Sequence, residues 1–473
     1  MNAIALLSLL IWVVLLFFWG RFWCGTERLP ARVRSAGVDR DRGSILDHPL
    51  PIECPEPADP SIIAVIPARN EAAVLPEALR SILSQRYRGR LRVVLVDDGS
   101  TDGTGELARK LAGSFSDVRL VTIDDHDLGD RVQPTAPHAN TLEFAVMSPP
   151  PLPQGWTGKL WALDRGIAAA RSHWGDPDYV WLTDADIAHP PDNLQRLVDH
   201  ARHDRRELVS LMVRLRCQSL WERLMVPAFI FFFQKLYPFP WVNDPGKAMA
   251  AAAGGCILIH TAALDRIGGI GCVREALIDD CALASAVKHP KPDSVSATMN
   301  STDGFAKPPT DSPTDSPTDS PVKPQTKPQA DRRSYRRIWL GLSRSTHSLR
   351  PYDSLASLWD MVARTAYTQL NYSPILLAGT ILGMILVYLV PPFSAIGGLV
   401  WQMPSLAIIG GLTWIGMVVA YRPTLRSYEQ PTILGVFLPA IASIYLLATI
   451  NSAWRHWRGR GGAWKGRTYA QHP

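Results

Sequence analysis

Ile62-Ile-Ala-Val-Ile-Pro-Ala-Arg-Asn-Glu71 and Arg92-Val-Val-Leu-Val-Asp-Asp-Gly-Ser-Thr-Asp-Gly-Thr104 are apolar, β-rich runs that each break into a polar turn. Short strands of this kind, separated by helical sequence, argue for βαβ units. The pattern predicts strands over Ile62–Ile66, Arg92–Val96 and Val118–Ile123, with helices over Glu71–Gln85 and Thr104–Ala112. Further on, Tyr179–Thr183 reads as a strand and Pro191–His203 as the helix after it. The fold class that follows is α/β with a mostly parallel sheet. Such sheets bind ligands beyond the carboxyl ends of their strands, so chemistry is expected in the residues just after these runs.

At 473 residues the chain is longer than a usual single domain, and its apolar content is uneven. Met1–Trp23 is almost uncharged before Arg21, with no charge ahead of the apolar run and no small-residue cleavage site after it. That pattern favours an uncleaved anchor over a signal peptide. Arg21, Arg28, Arg32 and Arg34 follow it and place the next region in the cytosol. Cys24, Cys54, Cys217, Cys256, Cys272 and Cys281 show no CxxC spacing, so neither a zinc site nor a disulfide framework is expected. The net charge of +6 gathers beside apolar segments, which points to a membrane surface and away from nucleic acid.

Three further apolar stretches, Ile375–Val390, Ile396–Tyr421 and Pro431–Ile450, approach the length needed to cross about 30 Å of hydrocarbon. If all three cross, the basic tail at 451–473 lies opposite the catalytic domain, against the positive-inside tendency. A re-entrant segment, with the Pro439-containing stretch as the candidate, removes the conflict. Residues 290–330 repeat Thr-Asp-Ser-Pro and carry few large apolar groups, so they read as a disordered insertion in a catalytic domain spanning 55–370.

Chemistry-bearing residues cluster where the fold predicts. Pro67, Ala68 and Glu71 follow the first strand, and Asp97 and Asp98 follow the second, at turns able to hold a nucleotide. The second turn also carries residues preferred at helix N-termini, so capping is the competing reading. Asp184-Ala-Asp186 ends a later strand, where alternate carboxylates can converge on Mg²⁺ or Mn²⁺. Asp279 and Asp280 open a helical stretch, and one of them is a candidate general base, while helix-dipole complementarity alone accounts for Asp279. Gly254 and Gly255 suit a close backbone approach to a sugar or to a neighbouring element, and Lys159 is within the kind of segment that reaches phosphates.

In this order, Pro67 to Glu71, Asp97 to Thr104, Gly158-Lys159, Asp184-Ala-Asp186, Gly254-Gly255 and Asp279-Asp280 resemble the signature series of glycosyltransferase family 2. The resemblance implies a Rossmann-like GT-A fold and an inverting enzyme that uses a nucleotide-diphosphate sugar, a UDP-sugar first among them. It also implies that Glu71 and Asp98 contact the nucleoside, Asp184 and Asp186 serve nucleotide and metal, and Asp280 is the base. Arg337-Ile-Trp-Leu-Gly-Leu342, Ser348-Leu-Arg-Pro-Tyr352, Ala363 to Leu370 and Ser452 to Arg460 are similar to bacterial hopanoid-associated glycosyltransferases. Ala463-Trp-Lys-Gly-Arg467 is similar to the tails of ceramide and carotenoid glucosyltransferases. A hopanoid-like lipid acceptor and a multi-pass protein of the bacterial inner membrane are what this implies. Polyprenyl-phosphate transfer, a polysaccharide synthase and a catalytically silent scaffold are the rivals. Relatives carry a Gln-x-x-Arg-Trp motif that Gln369 and Tyr372 match only in part, leaving Arg364 to supply the positive charge.

Overall fold

The computed structural model describes residues 1–30, 59–123, 141–290 and 337–459, with a short strand pair at 463–464 and 467–468. Arg32, Arg34, Cys54, residues 291–330 of the expected insertion and most of the basic tail lie outside the described residues. In chain order, α1 is Asn2–Phe17, β1 Ile62–Ala68, α2 Leu75–Leu83, β2 Leu91–Asp97, α3 Thr104–Ala112, β3 Val118–Val121 and β4 Leu142–Met147. Next come α4 Gly158–Trp174, β5 Tyr179–Thr183, β6 Ile187–Ala188, α5 Asn193–His203, β7 Leu208–Arg214, α6 Leu220–Leu236 and α7 Phe239–Asn243. The domain closes with β8 Cys256–His260, α8 Thr261–Arg266, α9 Asp279–Lys288, β9 Ile338–Ser348 and α10 Leu355–Gln369.

α2 begins later than the sequence pattern suggests, because the residues before it are bonded elsewhere. The backbone N–H groups of Asn70, Glu71 and Ala72 donate to Ser100 Oγ, Thr104 Oγ1 and Asp102 Oδ2, at 3.0, 2.9 and 3.0 Å. These bonds lock the turn after β1 to the turn after β2. Asn70 accommodates this with a left-handed φ of 52°.

The strands form one sheet in the order β3-β4-β2-β1-β5-β8-β7-β9-β6. From β3 to β5 it is parallel, and β1 is fully buried between two helical layers, as such strands require. The sheet is mostly parallel as expected, β7 and β9 included, but it is mixed, because β8 is antiparallel to both β5 and β7, and β6 to β9. The physical reason is that α6 and α7 return the chain to the carboxyl end of β5 before β8 begins. β8 therefore pairs Cys256 with Thr183 and starts where β5 stops.

Pro374–Val400, Pro404–Ser427 and Thr432–Trp457 are each long and apolar enough to cross a membrane. The first contains α11 Pro374–Met384, a π turn at Ile385–Leu389 and α12 Val390–Val400; α13 is Pro404–Ser427 and α14 Leu438–Trp457. The expected stretches Ile375–Val390 and Ile396–Tyr421 are divided elsewhere in the structure, since the helix that contains Pro391-Pro392 continues to Val400. Pro391 has no N–H for the Val387 carbonyl, and the wider π turn accommodates its ring. Trp12 Nε1 donates to Val387 O at 2.8 Å in its place, and Ser8 Oγ donates to Leu386 O at 2.6 Å. α1 thus repairs the ladder that the prolines interrupt. With 16 residues, α1 is only about 24 Å long.

α12 and α13 meet backbone to backbone, since a side chain at Gly398 or Gly410 would strike the facing main chain. At the end of α13, Glu429 pairs with Arg214 at 3.1 Å and Tyr428 Oη accepts from Leu215 N, both in the α/β domain. Thr432–Phe437 then doubles back along α13, where Trp414 Nε1 donates to Val436 O at 3.2 Å. α14 returns to the same domain and ends with Arg455 on Asp360 at 2.7 Å. Trp12→Phe, which removes the donor to Val387 O, is expected to cost about 1–3 kcal/mol, read as a lower thermal midpoint of the detergent-solubilised protein.

Candidate active site

Beyond the carboxyl ends of β1 and β5, several turns converge. Asp184 and Asp186 flank Ala185, which is 2% exposed and packs inward, so the carboxylates straddle the strand end. Thr157 caps α4 by accepting from Leu160 N at 3.4 Å, which sets Lys159 in its first turn. The start of β8 brings Gly254 and Gly255 alongside, and α9 presents Asp279 and Asp280 at its N-terminus. Pro67 at the end of β1 lines the same space, whereas Ala68 turns inward and its carbonyl accepts from Asp98 N at 2.9 Å.

Two cations hold these acids. Lys159 Nζ lies 2.9 Å from Asp184 Oδ1 and 3.3 Å from Asp279 Oδ2. Burial alone would lower the Lys159 pKa, but Asp184, Asp279 and Asp280 lift it well above the usual lysine value. Asp184 moves up, through burial first, with Asp186 adding to the shift against the pull of Lys159. Arg350 Nη2 lies 2.7 Å from Glu71 Oε1 and Arg350 Nε lies 3.0 Å from Asp186 Oδ2.

Asp280 is held differently. Its Oδ2 accepts from Gly254 N at 2.8 Å and its Oδ1 from Cys281 N at 2.7 Å, with no ion-paired cation among the described residues. Burial and the adjacent Asp279 push its carboxyl up to about 6, against the opposing effects of Lys159 and the two amides. A carboxylate so placed is still ionised at neutral pH and is basic enough to receive a proton. Asp279, by contrast, is engaged by Lys159, so the two neighbours occupy unlike settings.

Thr183, just before Asp184, is oriented by a buried chain of hydrogen bonds. Thr346 Oγ1 donates to Asn193 Oδ1 at 3.1 Å, and Asn193 Nδ2 faces His189 Nδ1 at 3.1 Å. His189 is neutral, its pKa lowered by burial to about 3. The proton therefore sits on Nε2, which donates to Thr183 Oγ1 at 2.8 Å, and Thr183 Oγ1 donates to Gly255 O at 3.1 Å. Gly255 itself is packed tightly, since an added Cβ would lie 3.2 Å from Val213 and 3.3 Å from Ile187.

The turn after β2 divides into two roles. Asp97 Oδ1 accepts from Ser100 N at 3.0 Å and its other oxygen lies against Gly105, a turn-stabilising position at the start of α3. Asp98 is 5% exposed and faces Arg69, 3.7 Å away.

Among the described residues no group of three or more acidic, histidine or cysteine side chains is arranged to hold a metal ion. The oxygen donors of Asp184 and Asp186 nevertheless suit a hard cation in the manner of Mg²⁺, which takes one or two carboxylates and completes its shell with phosphates and water. Such an ion would need the donor itself.

Residues 63–129 and 151–268 match the family described as Glycosyl transferase family 2. The chain carries a family 2 glycosyltransferase domain. It is 33% identical over 67 residues to glycosyltransferase AglE of Haloferax volcanii, covering 14% of this chain and 22% of that protein. It is 29% identical over 63 residues to the probable glycosyltransferase YdaM of Bacillus subtilis, covering 13% and 15%. The chain thus spans under a quarter of the length of either relative. Among solved structures, the mannosyltransferase PcManGT of Pyrobaculum calidifontis, in complex with GDP-Man and Mn²⁺, is 16% identical with a TM-score of 0.43, covering 94% of this chain and 98% of that one. Glucosyl-3-phosphoglycerate synthase of Mycobacterium tuberculosis, with Mg²⁺ and UDP, is 21% identical with a TM-score of 0.28, covering 47% and 64%.

In the glycosyltransferase domain the acids and their cations line a cavity of about 800 Å³ that extends to α10 and the end of α14. Its far part is walled by Phe229, Phe233, Met361, Arg364 and Arg455. Arg350 and Ser348 are site residues to which the sequence pattern assigned no role. Only the pairing of β9 with β6, Ser348 opposite Ile187, brings them to Asp186. Gly254→Ala would place a methyl 3.1 Å from Lys159 Nζ and 3.5 Å from Asp280 Oδ2. The flexible lysine yields more easily than the backbone, so the thermal midpoint should stay near that of the wild type. Sugar transfer should fall about 10- to 100-fold as the cluster is displaced.

Proposed function

We propose that this protein transfers a sugar, with inversion, from a nucleotide-diphosphate sugar to the hydroxyl of a membrane lipid. The observation that carries the reading is the continuity of the 800 Å³ cavity, with Lys159, Asp184, Asp186 and Asp280 at one end and the ends of apolar helices at the other. Donor and acceptor would enter from those opposite ends. Glu71 and Asp98 would face the nucleoside, and Lys159 the diphosphate.

Asp280 is the general base in this reading. Its Oδ2 receives the proton of the acceptor hydroxyl as that oxygen bonds to the anomeric carbon. The bond from that carbon to the diphosphate oxygen breaks on the opposite face, and an α-linked donor gives a β-linked product. The two backbone N–H groups on Asp280 fix its orientation without neutralising it. Lys159 keeps Asp279 from competing for the proton. Asp184 and Asp186 would hold Mg²⁺ or Mn²⁺, which when bound supplies charge stabilisation to the departing diphosphate.

The membrane arrangement we propose follows the contacts of the helices. Asn2 Nδ2 reaches Ser405 Oγ at the start of α13, while Trp19 Nε1 reaches Lys235 O in the α/β domain. α1 then runs toward the domain, α11 and α12 away from it, α13 back, and the last segment dips in and returns. Such a re-entrant final segment leaves the basic tail on the side of the catalytic domain, as the positive-inside tendency asks.

A hopanoid-like lipid is the acceptor the sequence resemblance favours. Arg364, which lines the cavity and has no hydrogen-bond or ion-pair partner among the described residues, supports a second reading in which the acceptor is a polyprenyl phosphate. Incubation of the purified protein in detergent with radiolabelled nucleotide sugars and lipid extract, followed by chromatography of the labelled lipid, separates the two. Folded wild-type protein that labels no lipid with any donor would sink the proposal.

Asp280→Asn should lower kcat by about 10²- to 10⁴-fold with little change in donor affinity. Because only the ionised carboxylate accepts a proton, kcat/KM should be level above about pH 6 and fall as pH drops through the raised pKa of Asp280. A profile that stays flat down to pH 4.5 would remove Asp280 from this role.

A further inference from the structure

Arg350, like Lys159, bridges an acid from each of two different turns, and it does so with the two-pronged fork of a guanidinium. Glu71 belongs to the turn after β1 and Asp186 to the turn after β5, and they take Nη2 and Nε at 2.7 and 3.0 Å. The backbone around Arg350 is fixed from both sides. Ser348 Oγ donates to Asp186 Oδ2 at 3.1 Å, Leu349 N to Asp186 O at 2.8 Å, and Tyr352 N to the fully buried Glu222 at 2.8 Å. The side chain itself is 35% exposed and faces the cavity. A fixed backbone bearing a partly free fork is suited to exchanging one anionic partner for another.

The oxygen of Asp186 that Arg350 holds belongs to one of the carboxylates to which the proposed function gives a divalent cation. A guanidinium and a divalent ion repel one another strongly at such a separation, so both cannot occupy that carboxylate unchanged. Guanidinium forks match phosphate oxygens as well as carboxylates.

We propose that Arg350 is a built-in cation that occupies Asp186 while the donor site is empty and swings to the donor's diphosphate when metal and nucleotide enter together. The inference rests on the proposed donor site and deepens it. Glu71 acts as the pivot that keeps the guanidinium in the cavity during the exchange. Metal alone meets a competitor, and nucleotide alone meets an arginine already engaged. Each therefore assists the other, and the assistance is reciprocal. If Arg350 were instead a structural clamp between the two turns, its loss would affect folding and leave this mutual assistance intact.

The test measures Mn²⁺ binding by the full-length protein in detergent, from the electron paramagnetic resonance signal of free Mn²⁺, with and without UDP and, in parallel, GDP. For the wild type, one of the nucleotides should tighten Mn²⁺ binding by about fivefold or more. Arg350→Ala should bind Mn²⁺ without nucleotide more tightly than the wild type, and the enhancement by nucleotide should shrink toward unity. Arg350→Lys, which keeps the charge but loses the fork, should fall between them, and thermal midpoints confirm that each variant is folded. A folded Arg350→Ala that binds Mn²⁺ no more tightly than the wild type, or keeps the full enhancement, overturns the exchange alone. Failure of the wild type to bind either nucleotide with Mn²⁺ overturns the donor site and the exchange together.

Discussion

Everything at the open edge of this sheet depends on charge compensation. Glu71, Asp184, Asp186, Asp279 and Asp280 come from three separate turns and would repel one another if left alone. Lys159 and Arg350 span them in pairs, and each cation joins turns that are distant in the chain. Asp280 is left to backbone amides, and that difference in partner separates it chemically from its neighbours. The same interactions that let the fold tolerate so many acids in one place also divide them into groups held by cations and one held by backbone amides.

The apolar helices solve a different problem with a similar economy of contacts. In an apolar surrounding a carbonyl without a donor costs several kcal/mol. Pro391 creates that situation, and the Trp12 indole answers it from the far end of the sequence. Because Tyr445 Oη donates to Met225 O and Lys235 Nζ donates to Tyr388 Oη, the apolar helices and the α/β domain are tied by directional bonds as well as by packing.

The strands β1, β2 and β5 and the acids after them were legible in the sequence, because a buried parallel strand is a continuous apolar run that ends abruptly in polar residues. β4 was missed, since Leu142-Glu-Phe-Ala-Val-Met147 is short and carries a charge. β7, β8 and β9 were not read as strands either, and the direction of β8 is set by how α6 and α7 route the chain and not by the composition of Cys256–His260. That the helix runs on through Pro391-Pro392 was not legible locally, because the donor for Val387 O, Trp12, lies 375 positions away. Arg350 had no signature beyond its neighbours Ser348 and Tyr352; its role exists only once β9 lies beside β6 and β7.

That late arrival of β9 bears on how the protein is made. Glu71 and Asp186 emerge from the ribosome long before Arg350, and both are less than a tenth exposed in the finished fold. Burying a carboxylate without compensation is strongly unfavourable, and Arg350 supplies part of the compensation for both. The acidic ends of β1 and β5 therefore gain this cation only once β9 docks beside β6 and β7. The apolar helices from Pro374 onward follow β9 in the chain, so the strand that completes this charge compensation is made before them.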